Sequence, residues 1–318
     1  MKLLYIAGSG RSGTTLLDRI LGQLDGFFSA GEVENLWERG MLADRRCGCG
    51  RPFSGCPTWT GILERAYGGP EGIDARAMAA RTRKLSGPRR VPSVLARGVR
   101  PTDPALARHR ELLSRLYQAL QQETGCRVIV DSSKSPLYAE QLRTLPGVDL
   151  YLVHLVRDPR ATAHSFQRRK KLPDFGDERL MRRQPPLVSA RRWGLWQTVT
   201  ELLWRGRPDR YLRVRYEDFV REPRATVARI ADLVGEGAAE LPFPSDTTVR
   251  LRPTHSVSGN PNRFTTGSVE VRPDDEWTHL MRRSDRMLVT AVTLPLLLYY
   301  RYPLSAPGRP GPADAGRP

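Results

Sequence analysis

The stretch "YIAGSGRSGTTLLDRIL", residues 5–21, constrains this chain more than any other. An apolar run, Leu3–Ala7, meets Gly8, Gly10 and Gly13, after which Leu16, Leu17, Ile20, Leu21 and Leu24 recur at helical spacing. A strand, a glycine loop and a helix from Thr14 to Leu24 make an anion trap. The loop's N–H groups converge on one point, and the helix N-terminus adds a positive dipole end. From Gly8 to Gly13 the spacing is that of the phosphate loop G-x-x-x-x-G-K-[ST], but Thr14 stands in the lysine's place, followed by Thr15. The loop therefore lacks the ammonium that reaches the outer phosphates of a triphosphate. Arg11 is a substitute cation placed earlier, so its fork meets a different part of the ligand. A glycine turn without a ligand is the plainer reading, and the flanking strand and helix speak against it.

Three more strands are expected at Arg127–Asp131, Val148–Arg157 and Arg210–Tyr216. Helices at Pro104–Thr124, Pro136–Thr144, Pro159–Arg168 and Val188–Trp204 separate them, and prolines open three of these, as suits a first helical turn. Alternating strands and helices imply an α/β fold with a doubly wound parallel sheet and helices on both faces. Residues 1–304 are expected to form one domain. An irregular insertion at about 32–103, lying over the mouth of the sheet, interrupts it, and a Pro/Gly-rich tail, 305–318, is expected to be disordered. The apolar "MLVTAVTLPLLLYYRY" is shorter than a membrane span and contains Pro295, so it reads as a packed C-terminal helix. With four cysteines and no export signal, the expected address is cytoplasmic.

A net charge of +17 favours anionic ligands or partners, or simply a solvated arginine-rich surface. "CGCGRPFSGC" gathers Cys47, Cys49 and Cys56. C-x-C-x6-C is not a zinc-ribbon spacing and no histidine lies close in sequence, so thiols are expected and no metal; a fourth ligand would have to come from a distant histidine or from Cys126.

"GSGRSGTTLL" resembles the 5′-phosphosulfate loop of sulfotransferases that use 3′-phosphoadenosine 5′-phosphosulfate (PAPS). "YLVHLVRDPRATAHSF" resembles that family's 3′-phosphate segment, with Arg157 at the strand's end and Ser165 eight residues on. The resemblance implies a P-loop-like fold of the bacterial type and PAPS as donor substrate. The physics agrees: PAPS has no outer phosphates for a loop lysine, while its ribose phosphate needs a cationic site of its own. Arg157 offers a bidentate fork, with Ser165 and Arg169 completing the pocket; an ion pair with Asp158 or another acid is the plainer reading. Gly10, Arg11, Ser12, Gly13, Thr14 and Thr15 would cradle the phosphosulfate.

"FFSAGEVENLWERG" contains a Gly-Glu like that of tyrosylprotein sulfotransferases, which makes Glu32 the implied general base, with Glu34 a neighbour easily mistaken for it. Partial desolvation is expected to raise its pKa and strengthen it as a base. Lys134, in "VIVDSSKSP", is similar in place to the family lysine aimed at the bridging oxygen, so Lys134 and Arg11 are the expected charge stabilisers. "RYLRVRYEDF" resembles the segment that puts Tyr216 near adenine. "THSVSGNPNRF" resembles a late motif in which Ser256 or Ser258 bonds the sulfonate, while Asn260 and Arg263 close over the nucleotide. The implied reaction moves a sulfonate in line to a hydroxyl of a carbohydrate or small-molecule acceptor, with no metal required. Two other readings stay open. In a kinase or NTPase, Asp131 would hold magnesium. In a nucleic-acid binder, the charge would do the work. No specific nucleic acid and no membrane span are expected; oligomeric state is open.

Overall fold

The computed structural model describes residues 1–99, 104–175, 180–237 and 240–305. Alternation of buried residues along the first strand, β1 (Lys2–Gly8), sets the architecture. Leu3, Tyr5 and Ala7 enter one apolar cluster, whereas Leu4 and Ile6 enter another. A strand buried on both faces belongs inside a parallel sheet. β1 is indeed the centre of a five-stranded parallel sheet, ordered β2-β3-β1-β4-β5. The first crossover, through α1 (Thr14–Leu21), reaches β2 (Phe27–Gly31) at one edge; β3 (Val128–Lys134) returns beside β1, and β4 (Asp149–Val156) and β5 (Tyr211–Arg215) lie on its other side. Winding thus reverses between β1 and β4. At that switch point, outside the strands' C-terminal ends, doubly wound sheets bind ligands.

Four strands are legible from sequence, and the structure adds a fifth. β2, "FFSAG", has only five residues, with Ser and Gly among them, and pairs with β3 alone. It contributes the edge from which Glu32 emerges. Its pairing slips between Ser29 and Gly31, and Gly31 has φ +77°, a bulge that turns the chain inward over the sheet. A Cβ there would lie 2.8 Å from the Ser256 Cβ, so only glycine fits.

The segment expected as an irregular insertion is more regular than its glycines and cysteines suggest. It holds α2 (Pro57–Tyr67), α3 (Ala75–Ser86) and α4 (Val91–Arg97), followed by α5 (Pro104–Thr124). Trp37, Phe53, Trp59 and Ile62 from this segment are buried with Leu3 and Tyr5, so it packs on one face of the sheet, not only over its mouth. Beyond β3, α6 (Pro136–Arg143) follows, then α7 (Pro159–Gln167) and α8 (Pro186–Trp204) after β4, and α9 (Tyr216–Arg221) and α10 (Pro223–Leu233) after β5. Pro136 and Pro159 open their helices as read, with Ser135 and Asp158 as caps that accept from the first-turn amides.

An antiparallel pair, β6 (Thr248–Leu251) and β7 (Gly267–Glu270), precedes α11 (Trp277–Leu280) and α12 (Arg283–Tyr299). α12 buries Val289, Thr293 and Leu297 but exposes Met287, Leu294 and Leu298, a half-packed helix rather than the fully packed one expected. No helix among the described residues is long and apolar enough to cross a membrane. The tail expected to be disordered lies, past Ser305, outside the described residues.

The loop's first glycine tests the fit of β1 to β4. Gly8 has φ +148°, and a Cβ would sit 2.5 Å from the Leu155 carbonyl oxygen. Gly8→Ala is expected to cost roughly 1–3 kcal/mol, read as a Tm lowered by several degrees in thermal unfolding.

Candidate active site

The glycine loop leads directly into α1. Gly13, at φ +87°, is the helix N-cap, and helical bonding begins with Leu16 and Leu17, whose amides both donate to its carbonyl. The amides of Ser12 to Thr15 precede that first bond and so have no acceptor within the helix. Three buried polar atoms nearby have no partner among the described residues: Ser12 Oγ, Arg11 Nη1 and Arg157 Nε. Buried polar groups are almost always satisfied, so three donors left over beside one loop are unusual. Arg11 itself has φ +69°, unusual for a side-chain-bearing residue. Its Nη2 donates to Met181 Sδ at 3.0 Å and its guanidinium lies 5.5 Å from the Phe166 ring. Gly10 backs onto that same ring, where a Cβ would lie 3.1 Å away.

Arg157 is buried at the end of β4, next to the loop. Its Nη1 donates to the Arg11 carbonyl at 2.9 Å, and its Nη2 lies 3.1 Å from the Asp274 carboxylate. Asp158, the acid beside it in sequence, pairs instead with Arg160. The Trp193 indole on α8 donates to the Arg157 carbonyl at 3.0 Å, so that helix does more than fill the core. Ser165 is buried on α7, the helix that follows Arg157. Arg169 lies beyond the end of α7 and is exposed, not one helical turn on. The Tyr216 ring packs against Gly13 and beneath the Arg157 guanidinium, 4.4 Å from it, forming a floor between loop and arginine.

Glu32 and Lys134 meet at the ends of adjacent strands. Lys134, at φ +77°, follows a slip in the β1–β3 register, and its Nζ donates to Glu32 Oε1 at 2.5 Å. The other carboxylate oxygen accepts from Asn35 Nδ2 at 2.7 Å and lies 3.3 Å from Arg39 Nη1 and 3.4 Å from Ser258 Oγ. Burial alone would raise this carboxyl's pKa, but the Lys134 and Arg39 charges outweigh it and hold the group at about 2. The sequence-based expectation of a raised pKa is therefore reversed in sign. Desolvation came with two cations, and they win. For Glu34 burial dominates: despite a hydrogen bond from Ser86, its pKa is pushed up to about 8. Burial and the nearby cations thus push two neighbouring glutamates in opposite directions.

The "THSVSGNPNRF" segment separates its serines. Ser256 faces Gly48, where a Cβ would lie 2.5 Å from its Oγ, whereas Ser258 accepts from Arg39 at 2.9 Å beside Glu32. The Asn260 amide donates to Thr15 Oγ1 at 3.1 Å, seating the segment on the N-terminus of α1. Arg263 is fully buried and bonded to the carbonyls of Ser256 and Arg46, with Asp174 at 3.1 Å, so it locks this segment rather than closing over a ligand. Asp131 is sealed in the core. One of its oxygens accepts from Tyr117, the other from the amide and hydroxyl of Ser133, and neither is offered to a magnesium ion at the loop.

Sequence reasoning missed Asn35 and Arg39. The signal was present, since they stand three and seven positions after Glu32, on a helical side. Nothing in sequence pointed to Asp274. Cys47, Cys49 and Cys56 gather with His255, a fourth possible ligand that lies 199 positions from Cys56.

Residues 4–240 match the sulfotransferase family. The chain belongs to it. Among solved structures, the sulfotransferase domain of the Synechococcus PCC 7002 olefin synthase superposes with a TM-score of 0.55 at 23% identity, covering 96% of each chain. The sulfotransferase domain of the curacin biosynthetic pathway gives 0.52 at 20% identity, covering 92% of this chain and 96% of that one. No curated protein is significantly similar in sequence. This sulfotransferase is thus an α/β enzyme of P-loop-like fold.

Glu34 leaves a pH signature. Its folded form holds a proton between about 4.5 and 8 that the unfolded chain has lost, so stability falls as pH rises through that window. Each pH unit costs up to ~1.4 kcal/mol. Asp18 and Asp131, raised to about 7 and 6, act in the same direction. Glu34→Gln is expected to flatten the fall in Tm between pH 5 and 8 without abolishing it.

Proposed function

We propose that this sulfotransferase moves the sulfonate of PAPS to the hydroxyl of a carbohydrate or other small-molecule acceptor by in-line displacement. The observation that carries this reading is the Glu32–Lys134 pair beside a phosphate loop that has no lysine. Glu32, emerging from β2, takes the acceptor's proton as its oxygen bonds to sulfur. The S–O bond to phosphate breaks with its electron pair leaving on the phosphate, where Lys134 and Arg11 stabilise the charge. Amides and hydroxyls of Ser12 to Thr15 hold the phosphosulfate, while Arg157 and Ser165 take the ribose phosphate.

A carboxyl held at about 2 is a weak base. In the proposed cycle, Lys134 swings from Glu32 to the donor's bridging oxygen; the carboxyl loses its strongest cation, and its pKa rises as the hydroxyl arrives. Ser258, between Glu32 and Arg39, is the serine assigned to the sulfonate. Asp274 occupies Arg157 and must yield to a phosphate, so it competes with the donor. Four cysteines with no disulfide among them suit a reducing cytoplasm. The kinase reading loses its magnesium ligand with Asp131 sealed in the core.

Thermal unfolding with adenosine 3′,5′-bisphosphate tests the donor site. At 100 times its Kd, the ligand should add about 2.7 kcal/mol. Arg157→Ala should remove the shift, and Asp274→Asn should enlarge it at a fixed, subsaturating concentration. Stabilisation by Mg-ATP and not by the bisphosphate would overturn the reading. Glu32→Gln should slow transfer about 10²–10⁴-fold with the bisphosphate shift retained, as measured by sulfonated product over time.

A further inference from the structure

We propose that Cys47, Cys49, Cys56 and His255 bind one zinc ion, and that this ion is structural. Their ligand atoms all lie within 4.8 Å of one another, and Cys56 Sγ is 3.3 Å from His255 Nδ1. A zinc tetrahedron with sulfur at ~2.3 Å has edges of roughly 3.8 Å, so a slight contraction closes the set. Three sulfurs and one imidazole complete a four-coordinate site with no open position, which is the structural and not the catalytic type.

The backbone is arranged for this ligand set. An isolated bridge between Arg46 and Pro52 closes a tight hairpin, within which the Cys47 amide donates to the Arg51 carbonyl and the Gly50 amide to the Cys47 carbonyl, each at 2.8 Å. The C-x-C pair sits in that hairpin, and Gly50, at φ +89°, makes its turn. Cys56 is the N-cap of α2, an eleven-residue helix whose positive end favours a thiolate. His255 is fixed from two sides. Its carbonyl accepts from the Trp59 indole at 2.6 Å, and its ring stacks on Phe28, 6.5 Å between centroids at 6°. Cys47 and Cys56 are fully buried, and Cys49 lines a hollow of about 320 Å³ with Arg46, Gly48 and Phe264, which gives the ion a way in.

The sequence reading set zinc aside because no histidine stood near the cysteines. The fold supplies one from the segment that carries Ser258. The ion's role follows from that connection. It ties the 46–52 hairpin and the start of α2 to residues 254–258, alongside the Gly48 amide, which donates to the Ser256 carbonyl at 2.9 Å. Those same residues bring Ser258 to Glu32. Zinc therefore holds one wall of the candidate active site without touching the reacting groups.

Metal analysis of the full-length chain, purified without chelators, tests this. One zinc per chain is expected. In Cys49→Ser it should fall at least tenfold, and in Cys126→Ser, which lies outside the cluster, it should be unchanged. Should Cys49→Ser fail to fold, the native chain still decides. A chelator should lower Tm and expose Cys49 to alkylation, and zinc alone should restore both. Cobalt in place of zinc should give the visible bands of a tetrahedral thiolate site. A chain without zinc, another metal in its place, a Cys47–Cys56 disulfide in the freshly purified protein, or a Cys49 alkylated equally with and without zinc would each overturn the proposal. These readouts do not depend on the sulfonate donor, so they stand or fall separately from the proposed reaction.

Discussion

The candidate active site depends on one buried ion pair. Glu32 reaches a position from which water is almost excluded only because Lys134 is presented to it from the neighbouring strand. Deleting either partner would leave the other charged with little water, a cost softened because the pair is only partly buried and Asn35 and Arg39 also hold the carboxylate. The fold meets this demand with two irregularities. A bulge at Gly31 turns the carboxylate inward, and a left-handed residue at the end of β3 turns the ammonium toward it. Regular strand ends would point both groups elsewhere. The local strain at Lys134 is of the kind that persists where surrounding structure over-determines it, here through the carboxylate and the Ser132 carbonyl.

Around this pair the charges are graded. Arg39 and Asn35 hold the far carboxylate oxygen, while Glu34, Asp131 and Asp18 bear protons more readily than ordinary carboxyls. Beside the loop, Lys134, Arg39 and Arg11 thus surround the Glu32 carboxylate, while other buried acids such as Asp158 and Asp174 pair with arginines of their own. That arrangement suits the proposed reaction, in which an anion enters while one carboxylate stays ionised. Its cost appears in the unpartnered atoms of the loop, Ser12 Oγ and Arg11 Nη1.

Much of this was legible in the sequence, and what was not has identifiable physical causes. The Gly8–Gly13 loop, β3 and β4 announce themselves by apolar runs ending in glycine or charge, because parallel strands buried on both faces need continuous apolar sequence. β2 escaped because an edge strand of five residues needs little of it. Arg157 was found from a strand end, but its partner Asp274 lies 117 positions away, and only tertiary folding brings it there. Glu32 was singled out too, whereas the sign of its pKa shift was not. Burial is readable from residue type, but which cations share that burial depends on bulges that no periodicity reveals. His255 is the sharpest case, since cysteine spacing is read along the chain and a ligand set forms in space.

Residues 254–258 touch three elements without room to spare. Gly31 and Gly48 each meet Ser256 at distances no side chain tolerates, and Gly259 lies against Thr15. Positions 31, 48 and 256 therefore cannot vary one at a time. A larger residue at either glycine displaces the same short stretch of backbone, so the first replacement already creates most of the damage, and a second adds little. Substitution costs along this seam will be strongly non-additive.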